Sequence, residues 1–574
     1  MTIERKWFPL TGPVRAPLRR GPVAEAKVVV DPLDGPKLAL AGRVVTMDDA
    51  FHVEADGVVY VEKGSVVAVR ARAQAAPAGF ETTGVVETGG TLFPGLIELH
   101  NHLSYNALPL WQVPKKYVNR DQWSGIPEYR KLISGPMRVI GQTPELVPAL
   151  VRYVECKCLL GGVTTSQGIQ LYSNAGIRRF YRGLIRNVEN TADAELPDAA
   201  TRVDDIEANK AELFFARLAK QTCFLLHLSE GTNSAARDHF LALHFGNQWA
   251  ITAALVGIHA AALTLPDFSI LGEHHGAMVW SPFSNFLLYG DTAGVVDAKN
   301  AGVRIGIGPD WSPSGSKNLL GELKVAWLVS KAESPPIFTA QDIIAMATRV
   351  AAKILQWDKV IGTIEPGKRA DLLVLRGKHE DPYEALIKAH ETDLHLVMIN
   401  GVARYGTPAL MAKFATKVEK LRVGGKERAL FLTQKTADAK VDVVSLEEAR
   451  STLSEALHDV RDLAHALEHP SPPRLTGMRL LDRRRKPEQE PWYLALDELD
   501  DYGVDLRPRL PLGSKSKTGP SRAAAKAAQP LSEILGPIDL DPLTVADHRS
   551  EFLAAVKAQK NLPDYIQQGL PKLY

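Results

Sequence analysis

The chain has 574 residues, of which 45% are hydrophobic and 23% charged, and its formal net charge is +2. This length exceeds what one hydrophobic core supports, so two or three domains are expected. The near-neutral charge gives no reason to expect nucleic acid or an anionic membrane as a partner. The N-terminal segment carries charges and prolines without an apolar core, and no later stretch reaches 18 uninterrupted apolar residues, so we expect a cytoplasmic protein that neither is secreted nor spans a membrane.

Cysteine use agrees with that expectation. Only Cys156, Cys158 and Cys223 are present. A small, odd number of cysteines argues against a disulfide framework and fits a reducing compartment. Cys156 and Cys158 lie near the end of an apolar helical run, so buried structural thiols are favoured over half of a metal site.

The pattern of elements changes three times along the chain. Residues 1–93 contain short β segments such as AKVVV and GVVYVEKGSVVAV, which predict the N-terminal part of a β-sandwich. In residues 94–360, strand-like runs alternate with helical ones, which predicts an α/β unit with parallel strands and helical crossovers. Residues 361–409 contain GTIEPGKRADLLVL and LHLVMINGVARYG, and these β segments are expected to complete the sandwich.

The α/β unit shows seven clear strand-like runs between GLIELH and GIGPD. An eight-stranded barrel needs one more strand. Ile169–Tyr172 is a candidate for it. Alternatively, the fourth strand position is degenerate or replaced by a loop.

Residues 410–574 fit neither pattern and predict a C-terminal extension of helices and linkers. Ser445 to Glu448 form a capping-box signal. One face of the helix that follows carries Leu446, Leu453, Leu457, Val460, Leu463 and Leu467. We favour a helix packed on the protein over a partner-binding helix.

Basic and proline-rich linkers follow that helix. Arg483–Lys486 is interpreted as a solvated loop rather than a nucleic-acid patch, and GSKSKTGPSRAAAKAAQP as mobile. The tail Leu540–Tyr574, with a helical centre over Thr544–Lys560, is expected to dock on the protein.

Six polar residues follow apolar strand-like runs in the chain. They are His100, His102, His227, Glu230, His259 and Asp310. Strand ends converge at one face of a parallel barrel, so these side chains are expected to meet. Three imidazoles and a carboxylate suit zinc or ferrous iron better than calcium, which prefers oxygen ligands.

The spacing within each motif supports a metal site. His100 and His102 are two apart on a strand, so both side chains point to the same side. Glu230 follows His227 by three, and the pair can reach opposite sides of one bound water; the alternative for HLSE is an ordinary helix N-cap at Ser229. His259 alone would more often be a core residue, and its value lies in its position behind HLSEG. Asp310 lies in GIGPD, whose glycines permit close backbone approach.

Taken together, these motifs resemble the amidohydrolase superfamily of metal-dependent hydrolases. More narrowly, they are similar to the mononuclear branch with cytosine, guanine and adenosyl-type deaminases, s-triazine hydrolases and imidazolonepropionase. The segments that carry the resemblance are PGLIELHNH (94–102), HLSE (227–230), His259, SPFSN (281–285), GPD (308–310) and IEPGKRADLLV (364–374). The resemblance implies a distorted TIM (β/α)8 barrel beside a small composite β-sandwich.

The resemblance also assigns roles. It implies that one Zn²⁺ or Fe²⁺ is bound by His100, His102, His227 and Asp310. Glu230 would shuttle protons, His259 would polarise the substrate or orient the attacking water, and Asp310 would also accept a proton. Lys157 lies within an apparent helix and is a poor bridging ligand, so one metal is expected. Relatives are often dimers or larger, which predicts a homo-oligomer.

Substrate contacts are predicted from position alone. The candidates are Tyr105, Asn106, Trp111, Trp280 and Trp311. Three tryptophans near one mouth predict a flat or apolar small-molecule substrate held by stacking, unless some of them only cover the barrel rim. Trp280 stands in VWSP, where family deaminases commonly have His or Cys. His274 and His275 precede their strand and are assigned to the surface or a helix end.

The leading hypothesis is hydrolysis of a non-peptide C–N bond in a small cyclic or heteroaromatic substrate by metal-activated water. Deamination and cyclic amide opening both suit the motifs, and the sequence does not separate them. Hydrolysis of a urea, a carbamate or a ring substituent is an enzymatic alternative. A non-catalytic scaffold is a further alternative, but it predicts loss of ligands, and all six residues are present.

Overall fold

The computed structural model describes residues 31–203, 206, 208–470, 491–496 and 529–574. Its strands are β1 (Leu38–Val45), β2 (Val53–Glu62), β3 (Ser65–Ala71), β4 (Val85–Pro94), β5 (Leu96–Ile97), β6 (Val163–Ser166), β7 (Gln170–Ser173), β8 (Arg178–Phe180), β9 (Arg186–Asn187), β10 (Ala200–Arg202), β11 (Phe224–Leu228), β12 (His244–Phe245), β13 (Gln248–Trp249), β14 (Leu255–His259), β15 (Ala277–Trp280), β16 (Arg304–Ile307), β17 (Leu372–Arg376), β18 (Leu394–Ile399), β19 (Val402–Gly406), β20 (Glu419–Val423), β21 (Lys426–Leu430) and β22 (Trp492–Leu494).

Helices occupy most of the intervals between the parallel strands and much of the C-terminal region. The α-helices are Pro127–Tyr129, Gly135–Gly141, Val147–Leu160, Ala211–Leu218, Ser234–Leu241, Leu265–Glu273, Pro282–Tyr289, Val295–Asn300, Leu319–Ala332, Ala340–Met346, Arg349–Leu355, Pro382–Lys388, Pro408–Met411, Ala439–Asp442, Leu446–His458, Val460–Glu468, Leu531–Ile534, Arg549–Ala558 and Asp564–Leu573. A π-helical turn spans Arg130–Ser134. Among the helices of the described residues, none is long and apolar enough to cross a membrane.

The chain segments before and after the α/β unit share one sheet. Its nine strands run in the order β20-β21-β19-β18-β17-β4-β1-β2-β3. β17 pairs antiparallel with β4, and this pairing joins the two segments. β20 and β21 extend the sheet past residue 409, while the AKVVV segment lies outside the described residues. The domain boundaries predicted from the sequence stay predictions.

The described residues of the α/β unit contain eight parallel strands in two sheets. One has the order β5-β6-β9 and the other β10-β11-β14-β15-β16. Backbone hydrogen bonds connect their edges: Leu99 N donates to Ile307 O at 3.3 Å, and Ala199 N donates to Val188 O at 2.8 Å. The ladders of the described residues do not form one closed barrel. The parallel α/β arrangement is nevertheless the one predicted for this part of the chain.

The eighth parallel strand, which the sequence did not reveal, is β10. It has three residues and pairs parallel with β11, with Ala200 opposite Phe224. The candidate Ile169–Tyr172 was wrong, because β7 pairs antiparallel with β8 and β22 in a separate sheet. β10 escaped detection because a three-residue strand, Ala-Thr-Arg, carries no hydrophobic periodicity.

The extension after residue 430 packs on the α/β unit. The Ser445 side chain accepts from Glu448 N, as the capping signal predicted. The expected single helix breaks at Asp459 into two, and their apolar face is mostly buried. Arg152, in the helix Val147–Leu160, donates to the carbonyls of Val441 and Val444. The packed interpretation is therefore confirmed, whereas Arg483–Lys486 lies outside the described residues.

Tail and cysteines also agree with the sequence analysis. The helices Arg549–Ala558 and Asp564–Leu573 dock through buried side chains that include Phe552 and Leu570. All three cysteines are free and buried. Burial raises the pKa of Cys223 to about 12, so this thiol is inert at neutral pH.

A buried ionic cluster joins the parallel strands to the nine-stranded sheet. Arg186 of β9 is fully buried and pairs with Asp371, which precedes β17. It also contacts Asp31, Nε to Oδ2 at 3.2 Å, and donates from Nη2 to Asn400 Oδ1 at 2.8 Å. The cluster explains why an Asp stands at the start of the ADLLVL strand.

Replacing Asp371 by Asn is expected to lower the free energy of unfolding by about 3–5 kcal/mol, because it leaves a buried guanidinium undercompensated. Urea denaturation followed by circular dichroism measures the change. Glu384→Gln is the matched control, since Glu384 forms an exposed pair with Lys388 that is worth at most about 0.5 kcal/mol. Equal losses in the two variants would contradict the structural role of the cluster.

Candidate active site

The structure brings together the six residues singled out in the sequence. His100 lies beyond β5, His227 is in β11, His259 ends β14, and Asp310 follows β16. The imidazole centroid of His100 is 4.7 Å from that of His227 and 5.2 Å from that of His259. All six are buried except His102, whose side chain is 13% exposed. The site is therefore a tight, largely buried cluster.

Two groups of ligand atoms within this cluster could each hold a metal ion. The first is formed by His100, His102 and Asp310, and the second by His100, His227 and His259. Asp310 Oδ1 lies 2.9 Å from His100 Nε2 and 3.5 Å from His102 Nε2. The two groups share His100, and the other predicted ligands are divided between them, with His102 and Asp310 in the first and His227 in the second.

Backbone conformation at the strand ends is unusual. Ser229, His259 and Asp310 have left-handed φ values of 53°, 67° and 68°. Such values are uncommon for residues other than glycine, and they gather at functional sites where the surrounding structure enforces them. Here they turn the chain at the strand ends from which the site's side chains project.

Close backbone approach at Gly308 also shapes the cluster. A Cβ at this position would lie 2.6 Å from His100 O and 2.8 Å from His100 Cβ. Only glycine fits, as expected from the GIGPD motif. The strand that leads to Asp310 can therefore lie directly against the strand end that carries His100.

Neighbouring polar side chains orient the ligand atoms. Gln167 Oε1 accepts from Asn101 N and lies 3.0 Å from His100 Nδ1. This contact places the His100 proton on Nδ1 and leaves Nε2 free to bind a metal. Ser284 donates to Asp310 Oδ2 at 2.6 Å, which leaves Oδ1 toward the imidazoles.

His259 is held differently from the other histidines. Its Nδ1 lies 3.1 Å from Asn285 Nδ2, and Asn285 Oδ1 accepts from Thr292. With the Asn285 amide oriented in this way, Nδ1 of His259 accepts the hydrogen bond and Nε2 of His259 carries the proton. That proton points toward Glu230, whose Oε2 is 3.8 Å from Nε2. His259 is thus presented as a donor rather than as a ligand.

Glu230 is fixed by a tyrosine that sequence reasoning missed. Tyr289 donates to Glu230 Oε1 at 2.7 Å, and Trp123 Nε1 donates to the Tyr289 hydroxyl at 2.9 Å. Arg120 Nη1 lies 4.0 Å from Oε2. Oε1 is therefore held in place, and Oε2 is the oxygen that faces His259.

The electrostatics suit a metal cation. Burial and three neighbouring imidazoles lower the pKa of His227 well below its usual value, and burial also lowers that of His259. Burial alone would raise the pKa of Asp310, but the imidazoles of His100, His259 and His102 hold it well below its usual value. Imidazole nitrogens beside a carboxylate are the donors that Zn²⁺ and Fe²⁺ bind, so the site fits a divalent metal.

The predicted substrate contacts lie in four different settings. The ring centroids of Tyr105 and Trp311 lie 6.2 and 5.5 Å from that of His102. Trp111 lies against Tyr129, one layer farther out. Asn106 is occupied by hydrogen bonds within the structure, its Oδ1 accepting from Ser312 N.

Trp280 lies in the core of the protein, whereas it was predicted at the mouth of the site. It is fully buried, its ring faces Phe338, and its Nε1 donates to Thr292 Oγ1 at 2.8 Å. Because Thr292 in turn bonds Asn285, Trp280 supports the residue that orients His259. Trp280, the large apolar side chain next to SPFSN, therefore supports a residue of the site, whereas it was predicted to contact the substrate.

A small polar cleft reaches the site from outside. Its lining residues are Asn119, Arg120, Asp121, His227, Glu230 and His239. The cleft leads to His227 and Glu230, whereas the aromatic residues near His102 are buried. No sequence motif indicated this cleft, because Asn119–Asp121 lie at a short 3-10 helix outside every motif.

Most of the supporting residues lacked an individual sequence signal as well. Ser284 and Asn285 belong to the SPFSN motif and were within reach of motif reasoning. Gln167 only follows a strand-like run, and Tyr289 is one aromatic among apolar residues. His275, as predicted, lies exposed beyond a helix end, and its carbonyl accepts from Arg304.

Comparison with known proteins gives a consistent family. A model of the amidohydrolase family matches residues 91–404. The 5-methylthioadenosine/S-adenosylhomocysteine deaminase of Thermoanaerobacter pseudethanolicus is 32% identical over 347 residues, which are 54% of this chain and 80% of that enzyme. The same-named enzyme of Moorella thermoacetica is 26% identical over 372 residues, 57% of this chain and 84% of that enzyme.

Coverage is shorter for a third relative of the same name. In the Desulforudis audaxviator enzyme, 30% identity extends over 193 residues, which are 33% of this chain and 44% of that protein. This chain therefore spans less than half the length of that relative.

Solved structures show the same fold. Guanine deaminase from Bradyrhizobium japonicum superposes with a TM-score of 0.50 at 15% identity, covering 64% of this chain and 99% of that one. A triazine hydrolase variant gives 0.50 at 20% identity, covering 64% and 94%. The core of the chain is thus a TIM-barrel-like α/β fold.

Proposed function

Since the chain belongs to the amidohydrolase family, and so to the hydrolases that act on carbon–nitrogen bonds other than peptide bonds, we propose that it deaminates a small aminated heterocycle. The observation that carries this proposal is the convergence of four imidazoles, Asp310 and Glu230 in one buried cluster. His100, His102, His227 and Asp310 would hold one Zn²⁺ or Fe²⁺. The relatives fit the mononuclear deaminase branch.

A bound divalent ion would lower the pKa of a water molecule to about 7. The protein's own groups then handle the protons. Glu230 would take a proton from the attacking water at Oε2 and deliver it to the departing nitrogen, which leaves as ammonia, while Tyr289 keeps Oε1 in place. His259 donates from Nε2 to the substrate and so stabilises charge that develops next to the attacked carbon.

Deamination is favoured over cyclic amide opening because of the relatives. Two deaminases align over 80% and 84% of their own lengths, and their names give 5-methylthioadenosine and S-adenosylhomocysteine as substrates. We therefore propose an aminopurine nucleoside as the substrate class. The cleft at Arg120 and Asp121 suits the polar part of such a molecule.

Hydrolysis of an s-triazine is a second candidate. The S-triazine hydrolase of Gordonia rubripertincta is 29% identical over 157 residues, which are 33% of that enzyme. An s-triazine is also a flat nitrogen heterocycle, and the same proton path would serve its leaving group. Release of the ring substituent, rather than of ammonia from a purine, would identify it.

Metal content is the first measurement. Mass spectrometry of the purified chain is expected to find about one Zn or Fe per chain, and His100→Ala is expected to lose it. His275→Ala, an exposed histidine away from the cluster, should keep it. Two metals would contradict the mononuclear assignment, and none after reconstitution would overturn the proposal. An ammonia-release screen with 5-methylthioadenosine, S-adenosylhomocysteine and an amino-s-triazine then separates the candidates.

Replacing Tyr289 by Phe is expected to lower kcat about 10- to 100-fold, because a hydrogen bond to a charged carboxylate contributes about 1.5–3 kcal/mol. KM should change less, since the hydroxyl contacts Glu230 and not the substrate. Steady-state ammonia release tests this. Tyr383→Phe removes a hydroxyl from the helix Pro382–Lys388, where the charged neighbours are Asp381 and Asp48, and should leave kcat unchanged. An unchanged kcat in Tyr289→Phe would show that Glu230 needs no such support.

A further inference from the structure

The C-terminal tail, residues 529–574, reaches the framework of the metal site although it lies far from every motif in sequence. Its Asp541 is 4% exposed, and Oδ2 accepts hydrogen bonds from Lys157 Nζ, at 2.6 Å, and from Lys317 Nζ. Burial alone would raise the pKa of Asp541, but these two ammonium groups hold it below its usual value, so the carboxylate stays charged. The Asp541 backbone N–H also donates to Ala107 O at 2.9 Å.

Lys157 links this carboxylate to the two loops that carry metal-site residues. Its Nζ also donates to Asn106 O at 2.6 Å and to Ser312 Oγ at 3.0 Å. An ammonium group has three N–H donors, and these three acceptors use them all. Asn106 follows the strand end with His100 and His102, and Ser312 lies two residues after Asp310.

The two loops are also bonded to each other next to the cluster. Asn106 Oδ1 accepts from Ser312 N at 2.8 Å, and Asn106 Nδ2 donates to Asn101 Oδ1 at 2.9 Å. Asn101 forms a parallel bridge with Asp310. A shift at Lys157 would therefore be transmitted to the spacing between His100 and Asp310, whose ligand atoms lie 2.9 Å apart.

A second anchor of the tail holds the segment beyond the first loop. Gln559 is 2% exposed; its Nε2 donates to Trp111 O at 2.9 Å and its Oε1 accepts from Val113 N at 3.3 Å. Asn561 Nδ2 donates to Leu287 O at 2.7 Å, in the helix that carries Ser284 and Asn285. The tail thus binds three of the segments from which the site is built.

We propose that Asp541 is a positioning residue that acts through Lys157, and that the C-terminal tail completes the metal site of this chain. The tail sets the spacing between the loop after β5 and the loop after β16. This inference rests on the proposed function, because it concerns the affinity of the same site for its metal. A tail that only stabilised the fold would leave that affinity unchanged in any variant that stays folded.

The test is a double-mutant cycle on the full-length protein. Asp541→Asn, Lys157→Met and the double variant are compared for the Zn²⁺ dissociation constant, by chelator competition, and for kcat and KM. Each single variant is expected to bind Zn²⁺ about tenfold more weakly, as for residues that orient metal ligands, with kcat reduced more than KM is changed. The double variant should be no worse than either single one, because both changes break the same connection.

Asp547→Asn is the matched control. Asp547 lies in the same tail, but its carboxylate bonds Gly424 N and Thr544 Oγ1 instead of the site loops. The Zn²⁺ affinity of the Asp547→Asn variant should equal that of the unmodified chain. If Asp541→Asn does not fold, Gln559→Ala tests the second anchor instead. This variant is expected to bind Zn²⁺ about threefold more weakly.

Two results would overturn the proposal while leaving the proposed function intact. One is an unchanged Zn²⁺ dissociation constant in the folded variants, and the other is a double variant whose defect is the product of the two single ones. Failure of the unmodified chain to bind any metal is a different result. It would overturn the proposed function itself, and this inference with it.

Discussion

Replacing Glu230 by Gln is expected to lower kcat for ammonia release by about 10²- to 10⁴-fold, the range typical of a lost general acid–base group. Gln is nearly isosteric and still accepts a hydrogen bond from Tyr289, which bonds Oε1 in the native site. It cannot take up a proton at the position of Oε2. The substitution therefore removes proton transfer while leaving the shape of the cleft.

The decisive measurement pairs kinetics with metal content. Glu230→Gln should keep about one metal per chain, since Glu230 belongs to neither group of candidate ligand atoms. Glu273→Gln, on an exposed position of a surface helix, serves as the control and should match the unmodified chain in both respects. Loss of the metal in Glu230→Gln would make Glu230 a ligand and remove it from the proton path.

Asp310→Asn is expected to abolish measurable turnover, a loss of about 10³-fold or more, together with at least a hundredfold weaker metal binding. The carboxylate supplies the negative charge among the imidazoles of the candidate ligands, and its Oδ1 lies within 3.5 Å of two of them. Asn keeps the shape and can still bond Ser284. It does not keep the charge that offsets a divalent cation.

Chelator competition and ammonia release measure the two effects of Asp310→Asn. Asp297→Asn, on the helix Val295–Asn300, is the control with the same chemical change away from the cluster. A variant that bound metal normally but turned over slowly would assign Asp310 to proton transfer alone. A variant with normal turnover would exclude it from the site.

The candidate site was predictable residue by residue because its members sit in local motifs. His100 and His102 are two apart on a strand end, and His227 and Glu230 are three apart where a strand gives way to a loop, so the chain itself fixes each pair. Gly308 is a similar case, since only glycine allows the approach to His100 O that the structure shows. The capping signal at Ser445 also depends on residues within one turn, and it too is observed.

Residues that act across the chain were not predictable. Tyr289 reaches Glu230 and Trp280 supports Asn285 only through the packing of separate elements, and neither position differs in sequence from an ordinary core residue. Strand β10 was missed because three residues carry no periodicity. The cleft at Arg120 depends on how one loop lies against another.

The sequence by itself determined which candidate donor groups this protein has and their order along the chain, and its alternating patterns indicated the parallel α/β arrangement. Only the tertiary structure decided which side chains support those donor groups. It placed Tyr289 on Glu230, Asn285 on His259, and Asp541 on Lys157, a contact that spans 384 positions. Such contacts depend on how distant segments pack, and hydrophobic periodicity records which face of an element is buried but not which partner covers it.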